Sequence, residues 1–461
     1  MFGKFLISTG FLILTAGIAS ADIAVPDENS LFQGDTMVDT NKVISNAIVS
    51  NANKSGVSFS GSIQSITGYN MTAGFLKGTT NYDQNTWFPV TEANLLLDVR
   101  LTQGIKAFAN VQATYIPVNS SAAQALTGQA ASPTNTSTSN VTTLNLQELF
   151  LDANINNAVY FRAGKQVLQW GVGNYWSPSD LINIQKESFQ ALSGSYSQYI
   201  EGVYGLKAHI PFGTSANLYG FVNMNGVSEP QNLAFSGKAE FLINPVEISA
   251  AIWAKENYHP VYALDLTTRL FNWVDFKGEA SFADSDTTPY YSTASNTAAG
   301  YGPATYNPYY ISNQLVSKVA IGFTKTFDWE LSDRISVTVE FYYKSDGYTQ
   351  NYLTNSTFLN SIQESMFTTG QTAYTMSDFY AYNWLFTGSL NEFIDQNLTL
   401  SVTAVGNFVD YSYEVGSTLS WNPVYDFTIN LSFFGYIGDV NTEYTVSENG
   451  LSAVLTGSIV F

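Results

Sequence analysis

Late in the chain, apolar and polar residues change places at every second position, and that period constrains the fold more than any other feature. Ile335, Val337, Val339, Phe341 and Tyr343 alternate with Arg334, Ser336, Thr338, Glu340 and Tyr342. Leu398, Leu400 and Val402 alternate with Asn397, Thr399, Ser401 and Thr403, and Phe427, Ile429, Leu431 and Phe433 with Thr428, Asn430 and Ser432. The final run puts Leu451, Leu455, Ile459 and Phe461 on one face and Ser452, Thr456 and Ser458 on the other. Earlier, Ile105, Ala107, Ala109, Val111 and Ala113 alternate with Lys106, Phe108, Asn110, Gln112 and Thr114. A period of two marks a strand with one apolar face. Each such face must be covered, by a second sheet or by lipid.

Composition chooses between the two. Charged residues make up 12% of the chain and aromatic residues 15%, against a globular norm of about 25% charged. A soluble surface over 461 residues would carry more charge. A two-sheet sandwich of this length would divide into domains with linkers, and a β-helix would show a fixed-length repeat; neither is visible. No window after the amino-terminal segment supplies the roughly 20 consecutive apolar residues of a helical span. What remains is a closed barrel with lipid outside and water inside, which leaves no unpaired edge in the hydrocarbon. Mean hydropathy is −0.01 because the two faces cancel.

Connections sort by length. Short ones follow Leu101 (102–104), Asn154 (155–157), Pro211 (212–214) and Trp421 (422–423). Long polar ones cover 70–88, 117–142, 171–200, 283–313 and 347–374. The pattern predicts an all-β fold, a transmembrane antiparallel β-barrel of about 18 strands over residues 56–461, with short periplasmic turns and long extracellular loops. An even count returns both ends to the short-turn side. Residues 22–55 lack clean alternation, with a short helix expected near 37–49, and read as a periplasmic tail or a small lumen insert.

Met1 to Ala21 holds one charge, Lys4, then an apolar stretch from Phe5 to Ile18 and a small-x-small ending, Ala19-Ser20-Ala21. That is the pattern of an export signal, too short for a membrane anchor with stop-transfer flanks. An exported barrel is expected in the bacterial outer membrane, where its partners are lipid, lipopolysaccharide and the barrel assembly machinery. The absence of cysteine excludes thiol redox chemistry, Cys-based metal sites and disulfides. A formal net charge of −19 disfavours a nucleic-acid partner.

Two segments carry a resemblance to known families. The strand ending in Phe461 resembles the assembly signal of bacterial outer-membrane β-barrels. From Leu144 the chain reads Leu-Asn-Leu-Gln147-Glu148-Leu-Phe-Leu-Asp152, then Phe161-Arg162-Ala-Gly164-Lys165-Gln166-Val-Leu-Gln-Trp170-Gly171-Val-Gly173, then Trp176-Ser-Pro178-Ser-Asp180-Leu-Ile-Asn183. This resembles a hairpin of porin-like outer-membrane proteins of the alginate-export and related broad-substrate types. There an acidic residue leads one strand, an R-x-G-[KR]-Q-x-x-x-W-G run forms the next, and a Pro-x-Asp-Leu loop follows. The resemblance implies family-motif roles for Gly164, Lys165, Gln166, Trp170, Gly171, Pro178 and Asp180. Gln147 stands where the family often has arginine, so one basic residue is missing. Those relatives imply a monomer.

Read physically, a turn near Asn156 puts Glu148 opposite Gly164 and diagonal to Arg162 and Gln166. Glu148, Asp152, Arg162 and Gln166 then share the lumen face, because an Arg or Lys facing mid-bilayer lipid costs about 2–4 kcal/mol. Gly164 leaves room for Glu148 and Arg162 to meet. Lys165 falls on the opposite face, near the outer rim or displaced by a bulge. The loop that follows either folds inward, with Asp180, Lys186 and Glu187 near the passage, or lies on the surface.

Enzyme signals are weak. His209 shares a face with Lys207, His259 precedes Pro260, and neither shows hydrolase spacing. Two histidines in unlike contexts do not make a zinc site, and calcium near Asp284 and Asp286 lacks a full ligand pattern. No enzyme activity, cofactor or metal is expected. The expected function is passive passage of small hydrophilic solutes or ions, with weak cation preference. Candidate pore-lining residues are Asp98, Arg100, Lys106, Glu148, Asp152, Arg162, Gln166, Lys207, Arg334 and Glu340. The alternatives are a surface adhesin or receptor with an occluded barrel, its loops including Tyr301–Tyr310, and a specific transporter of hydrophobic or oligomeric substrates.

Overall fold

A computed structural model describes residues 56–72, 85–102, 105–117, 140–156, 158–183, 188–271, 273–285, 290–291, 308–309, 312–328, 334–355, 379–445 and 449–461. The readings of 1–21 and 22–55, Lys186, Glu187, Asp286 and most of Tyr301–Tyr310 fall outside these. The main sheet begins with β1 (Gly56–Thr72), β2 (Thr86–Thr102), β3 (Ile105–Ile116), β4 (Val141–Ile155), β5 (Val159–Gln166) and β6 (Val203–Phe212). It continues with β7 (Ala216–Asn223), β8 (Ala234–Ile243), β9 (Val246–Lys255), β10 (Val261–Leu270), β11 (Val274–Ser285) and β12 (Ser312–Asp328). It ends with β13 (Arg334–Lys344), β14 (Tyr382–Asn391), β15 (Leu398–Asn407), β16 (Tyr413–Val424), β17 (Phe427–Ile437) and β18 (Asn449–Val460).

Each strand pairs antiparallel with its neighbour in sequence, and β18 pairs with β1 from Val460↔Ser62 to Asn449↔Thr72. The result is a closed 18-stranded antiparallel barrel. Phe461 exchanges backbone hydrogen bonds with Gly61 at 2.8 and 2.9 Å, which finishes the seam.

The burial pattern is inverted relative to a soluble protein. Phe59, Leu95, Leu149, Leu151, Leu264, Phe341, Leu455 and Ile459 point outward and are exposed, while Gln64, Asn94, Gln112, Thr338, Thr403 and Thr456 are buried inside. Aromatic side chains gather near both ends of the wall, with Trp87 on Tyr69 and Tyr343 on Tyr382 at the long-loop end and exposed Phe271, Trp273, Trp421 and Tyr425 at the other. This is the distribution of a barrel with a lipid band between two interfacial girdles.

Short and long connections alternate as the sequence predicts, and the largest relocation follows Trp421. The strand does not stop at Trp421: Asn422 N–H bonds to Asn397 O at 2.9 Å, and the β16–β17 pairing shifts register and resumes at Val424↔Phe427. The Asn-Pro pair is therefore absorbed as an irregularity, and the turn is residues 425–426.

Candidate channel constriction

Between β5 and β6 the chain folds into the lumen. Leu168, Trp176, Ser193 and Ser195 have no more than 0% relative exposure, which fixes the inward direction of this loop. An irregular segment cannot bond its own N–H groups, and once buried it needs acceptors from elsewhere. Two wall carboxylates supply them. Glu279 on β11 accepts from the backbone N–H groups of Val172 and Gly173, from the Ser177 hydroxyl at 3.2 Å, and from Ser179 N–H and Oγ–H at 3.0 and 2.8 Å. Glu340 on β13 accepts from the N–H groups of Asn174, Tyr175 and Trp176 at 2.8, 3.2 and 2.8 Å. Charge-assisted bonds of this kind are about twice as strong as neutral ones.

Neighbouring contacts fix the same arm. Lys238 on β8 donates to Trp170 O at 2.6 Å, and it pairs with Glu240 at 2.9 Å and Asp265 at 3.5 Å. Lys277 on β11 donates to Asn174 Oδ1 at 2.9 Å. The Trp176 ring lies flat on Tyr342, with centroids 5.2 Å apart and planes at 8°.

The return arm contains a short helix, α1 (Phe189–Leu192), whose N–H at Ala191 is capped by the Ser188 hydroxyl. Phe189 meets Phe434 edge-on. Gln190 donates to Glu414 at 3.2 Å, Asn430 donates to Ser195 O at 3.2 Å, and Gln64 exchanges two bonds with Ser197 at 2.7 and 3.1 Å. The loop thus touches β8, β11, β13, β16, β17 and β1. It forms an internal ring of contacts rather than a flap over one strand.

On β2 to β6, charged side chains make a lateral row below the loop. Asp98 pairs with Arg100 at 3.1 Å and Lys106 at 3.3 Å. Asp152 holds Arg162 through two bonds of 2.6 and 3.0 Å, and Arg162 lies over the Phe150 ring at 4.0 Å. Lys207, opposite Arg162 in the sheet, is buried in the same row.

The hairpin register differs from the sequence expectation. Phe150, not Glu148, faces Gly164, and Asp152 faces Arg162. The turn is centred one residue later than Asn156, so every pair slides by two. Arg162 therefore meets Asp152, and Glu148 instead accepts the Val167 N–H at 3.0 Å, where the chain leaves β5. Gln147 and Glu148 both turn inward, because a bulge opposite Asn110 and Val111 breaks the alternation of β4. Lys165 does face outward, and it pairs with Glu201 at the rim.

Other expected residues are placed as follows. Gln166 is fully buried and donates to carbonyls of its own strand and of Gly205. Pro178 and Asp180 lie in the turn closed by Asp180 N–H on Ser177 O at 3.0 Å. Arg334 sits at the exposed short-turn rim, 3.8 Å from Asp328, far from the loop's contacts. His209 stacks on Tyr219 and bonds Asn217, while His259 and Asp284 are exposed at 3.8 Å. Among the described residues no cluster of three or more candidate metal ligands occurs. Glu279, Lys238, Lys277 and Gln64 were not singled out from the sequence, although each stands on the polar face of an alternating strand.

No family model matches the sequence, and no curated protein matches it. Solved structures do. Pseudomonas aeruginosa OccK8 (OprE) matches with a TM-score of 0.51 at 10% identity, over 88% of this chain and 98% of that one. The barrel has the fold of outer-membrane porins. A BenF-like porin from Pseudomonas fluorescens Pf-5 gives 0.50 at 10% identity over 88% and 98%. Pseudomonas aeruginosa OccK2 (OpdF), solved in complex with glucuronate, gives 0.50 at 9% identity over 88% and 98%. The shared feature is the eighteen-stranded closed wall.

Proposed function

We propose that this protein is a bacterial outer-membrane channel for passive passage of small hydrophilic solutes, narrowed by residues 167–183 and 188–202. The observation that carries the reading is the inward loop seated on Glu279 and Glu340 inside a wall whose interior is polar. A polar lumen in an 18-stranded barrel is wide enough for solutes unless loops fill it, so a loop pinned across it sets the cut-off.

Weak cation preference is part of the proposal. Among the buried charged side chains, Glu92, Asp98, Glu148, Asp152, Asp265, Glu279, Glu340, Asp346, Glu414 and Glu443 stand against Arg162, Lys207 and Lys238. Surplus acid facing the passage favours cations.

The test is reconstitution of the barrel in a planar bilayer, with reversal potential measured under a salt gradient. Steady channels whose reversal potential has the cation-selective sign are expected. A uronate such as glucuronate, the ligand of the OccK2 complex, belongs in the first set of blocking solutes. Silence from a correctly folded barrel would overturn the channel reading and favour a receptor with a filled lumen.

A further inference from the structure

Charge is scarce on the outer face of the wall, as lipid contact requires. Among the described residues, three charged side chains fall on the outward rows of the strands. Lys165 on β5 and Asp284 on β11 lie at the long-loop end, beside Glu201 and His259. Lys325 on β12 lies at the opposite end, three residues before the strand stops at Asp328. In its row it stands between the exposed rings of Phe323 and Phe327, and it faces Val337 on β13. Its ammonium is 5.1 Å from the centroid of the Trp273 ring and 5.4 Å from that of Phe327. Among the described residues no carboxylate pairs with it. The acids at this end are held by arginines, Asp275 by Arg269 at 2.6 Å and Asp328 by Arg334 at 3.8 Å. Both pairs belong to the inward rows, so neither turns toward lipid.

A lysine on a lipid-facing row must carry its ammonium to the headgroup level. Lys325 does so at the girdle, where Phe271 and Trp273 are also exposed. There the two rings hold the cation from the side of the wall, by attraction to their faces. Its remaining donors point away from protein, and the anion found at that depth is the lipid phosphate. We propose that Lys325, with the rings of Trp273 and Phe327, forms a site for the headgroup phosphate of a phospholipid in the periplasmic leaflet. The ammonium supplies charge and hydrogen-bond donors to the phosphate oxygens. Phe323, which packs on Phe276 with centroids 5.3 Å apart, and Val337 continue the site as an apolar track for the upper acyl chains. Short turns face the periplasm in barrels of this kind, which sets the leaflet. The site needs a lipid-embedded wall and does not depend on whether the barrel conducts.

The test is fluorine NMR of the folded barrel, labelled with fluorotryptophan, in a maltoside detergent that carries no phosphate. Trp273→Phe assigns the Trp273 signal. Dimyristoyl phosphatidylglycerol is expected to shift that signal saturably. Dimyristoylglycerol, with the same chains and no phosphate, should leave it in place, and so should inorganic phosphate. In Lys325→Met the lipid-to-detergent ratio at half-shift should rise at least about fivefold, the size expected for one lysine at an anionic surface. Lys325→Arg should keep the parent value. The heat-modifiable gel shift checks that each variant is folded, and Lys325→Gln serves if the methionine variant is not. A Trp273 signal that phosphatidylglycerol does not move, or that dimyristoylglycerol moves equally, overturns the site. An unchanged ratio in Lys325→Met or Lys325→Gln overturns Lys325 as the phosphate ligand. The same shift with inorganic phosphate alone overturns lipid as its source.

Discussion

At the scale of single residues, lumen carboxylates do the work that backbone pairing does elsewhere. Glu340 gathers three consecutive N–H groups, and each bond to a charged acceptor contributes about 1.5–3 kcal/mol. Glu340→Ala strands those donors, so the inward arm should loosen while the wall stays closed. Larger or noisier single-channel currents, at an unchanged heat-modifiable gel shift, are the expected result. The Asp152–Arg162 pair tests a different point. With Arg162 1% and Asp152 6% exposed, Arg162→Ala leaves a buried charge alone and should cost about 3–5 kcal/mol. Urea-unfolding midpoints in detergent check it, and a double Asp152→Leu, Arg162→Met variant should recover most of the loss. The sequence already showed that these two side chains share a face. Their pairing was hidden because a one-residue difference in the turn moves each partner by two, and Glu148 and Asp152 are chemically equal candidates at that resolution.

At the scale of elements, the period-two rule located the strands because lipid outside and polar solvent inside enforce it residue by residue. Leu151 is 59% exposed on the outer face of β4. Leu151→Arg should therefore destabilise the barrel by about 2–4 kcal/mol if it lies near mid-bilayer, read as a lower unfolding midpoint. The rule fails where the hydrogen-bond ladder stumbles. Leu146 and Leu149 both face outward although three positions separate them, so the parity change between them marked the bulge in the letters themselves. Asn422-Pro423 misled for the opposite reason, since a strong local turn signal lost to pairing on both sides. Gly164 is a position where backbone shape decides. At φ +129°, a Cβ there would stand 2.2 Å from Leu149 O, so Gly164→Ala should weaken the β4–β5 hairpin and lower the folded yield. The direction of the loop after β5 was not legible at all. Its acceptors lie 100 or more residues further along, and no local pattern encodes a contact at that separation.

At the scale of the whole molecule, polar interior and apolar exterior predict a heat-modifiable barrel in detergent. Loss of Phe461 should reduce membrane assembly without impairing export, because its two bonds to Gly61 complete the seam; equal assembly of the truncated chain would count against that role. The ring of contacts made by residues 167–183 and 188–202 has a further consequence, for when the loop can settle. Every strand pairing except that of β18 with β1 joins neighbours in sequence and needs only its own hairpin. The loop cannot settle on local pairing alone, because Glu279 and Glu340 stand on β11 and β13, and Glu414 and Asn430 on β16 and β17. It must wait inside a half-built wall until the remaining strands bring their side chains to it. Its final seating thus records that β8, β11, β13, β16 and β17 are in place, like an inspection stamp applied from within.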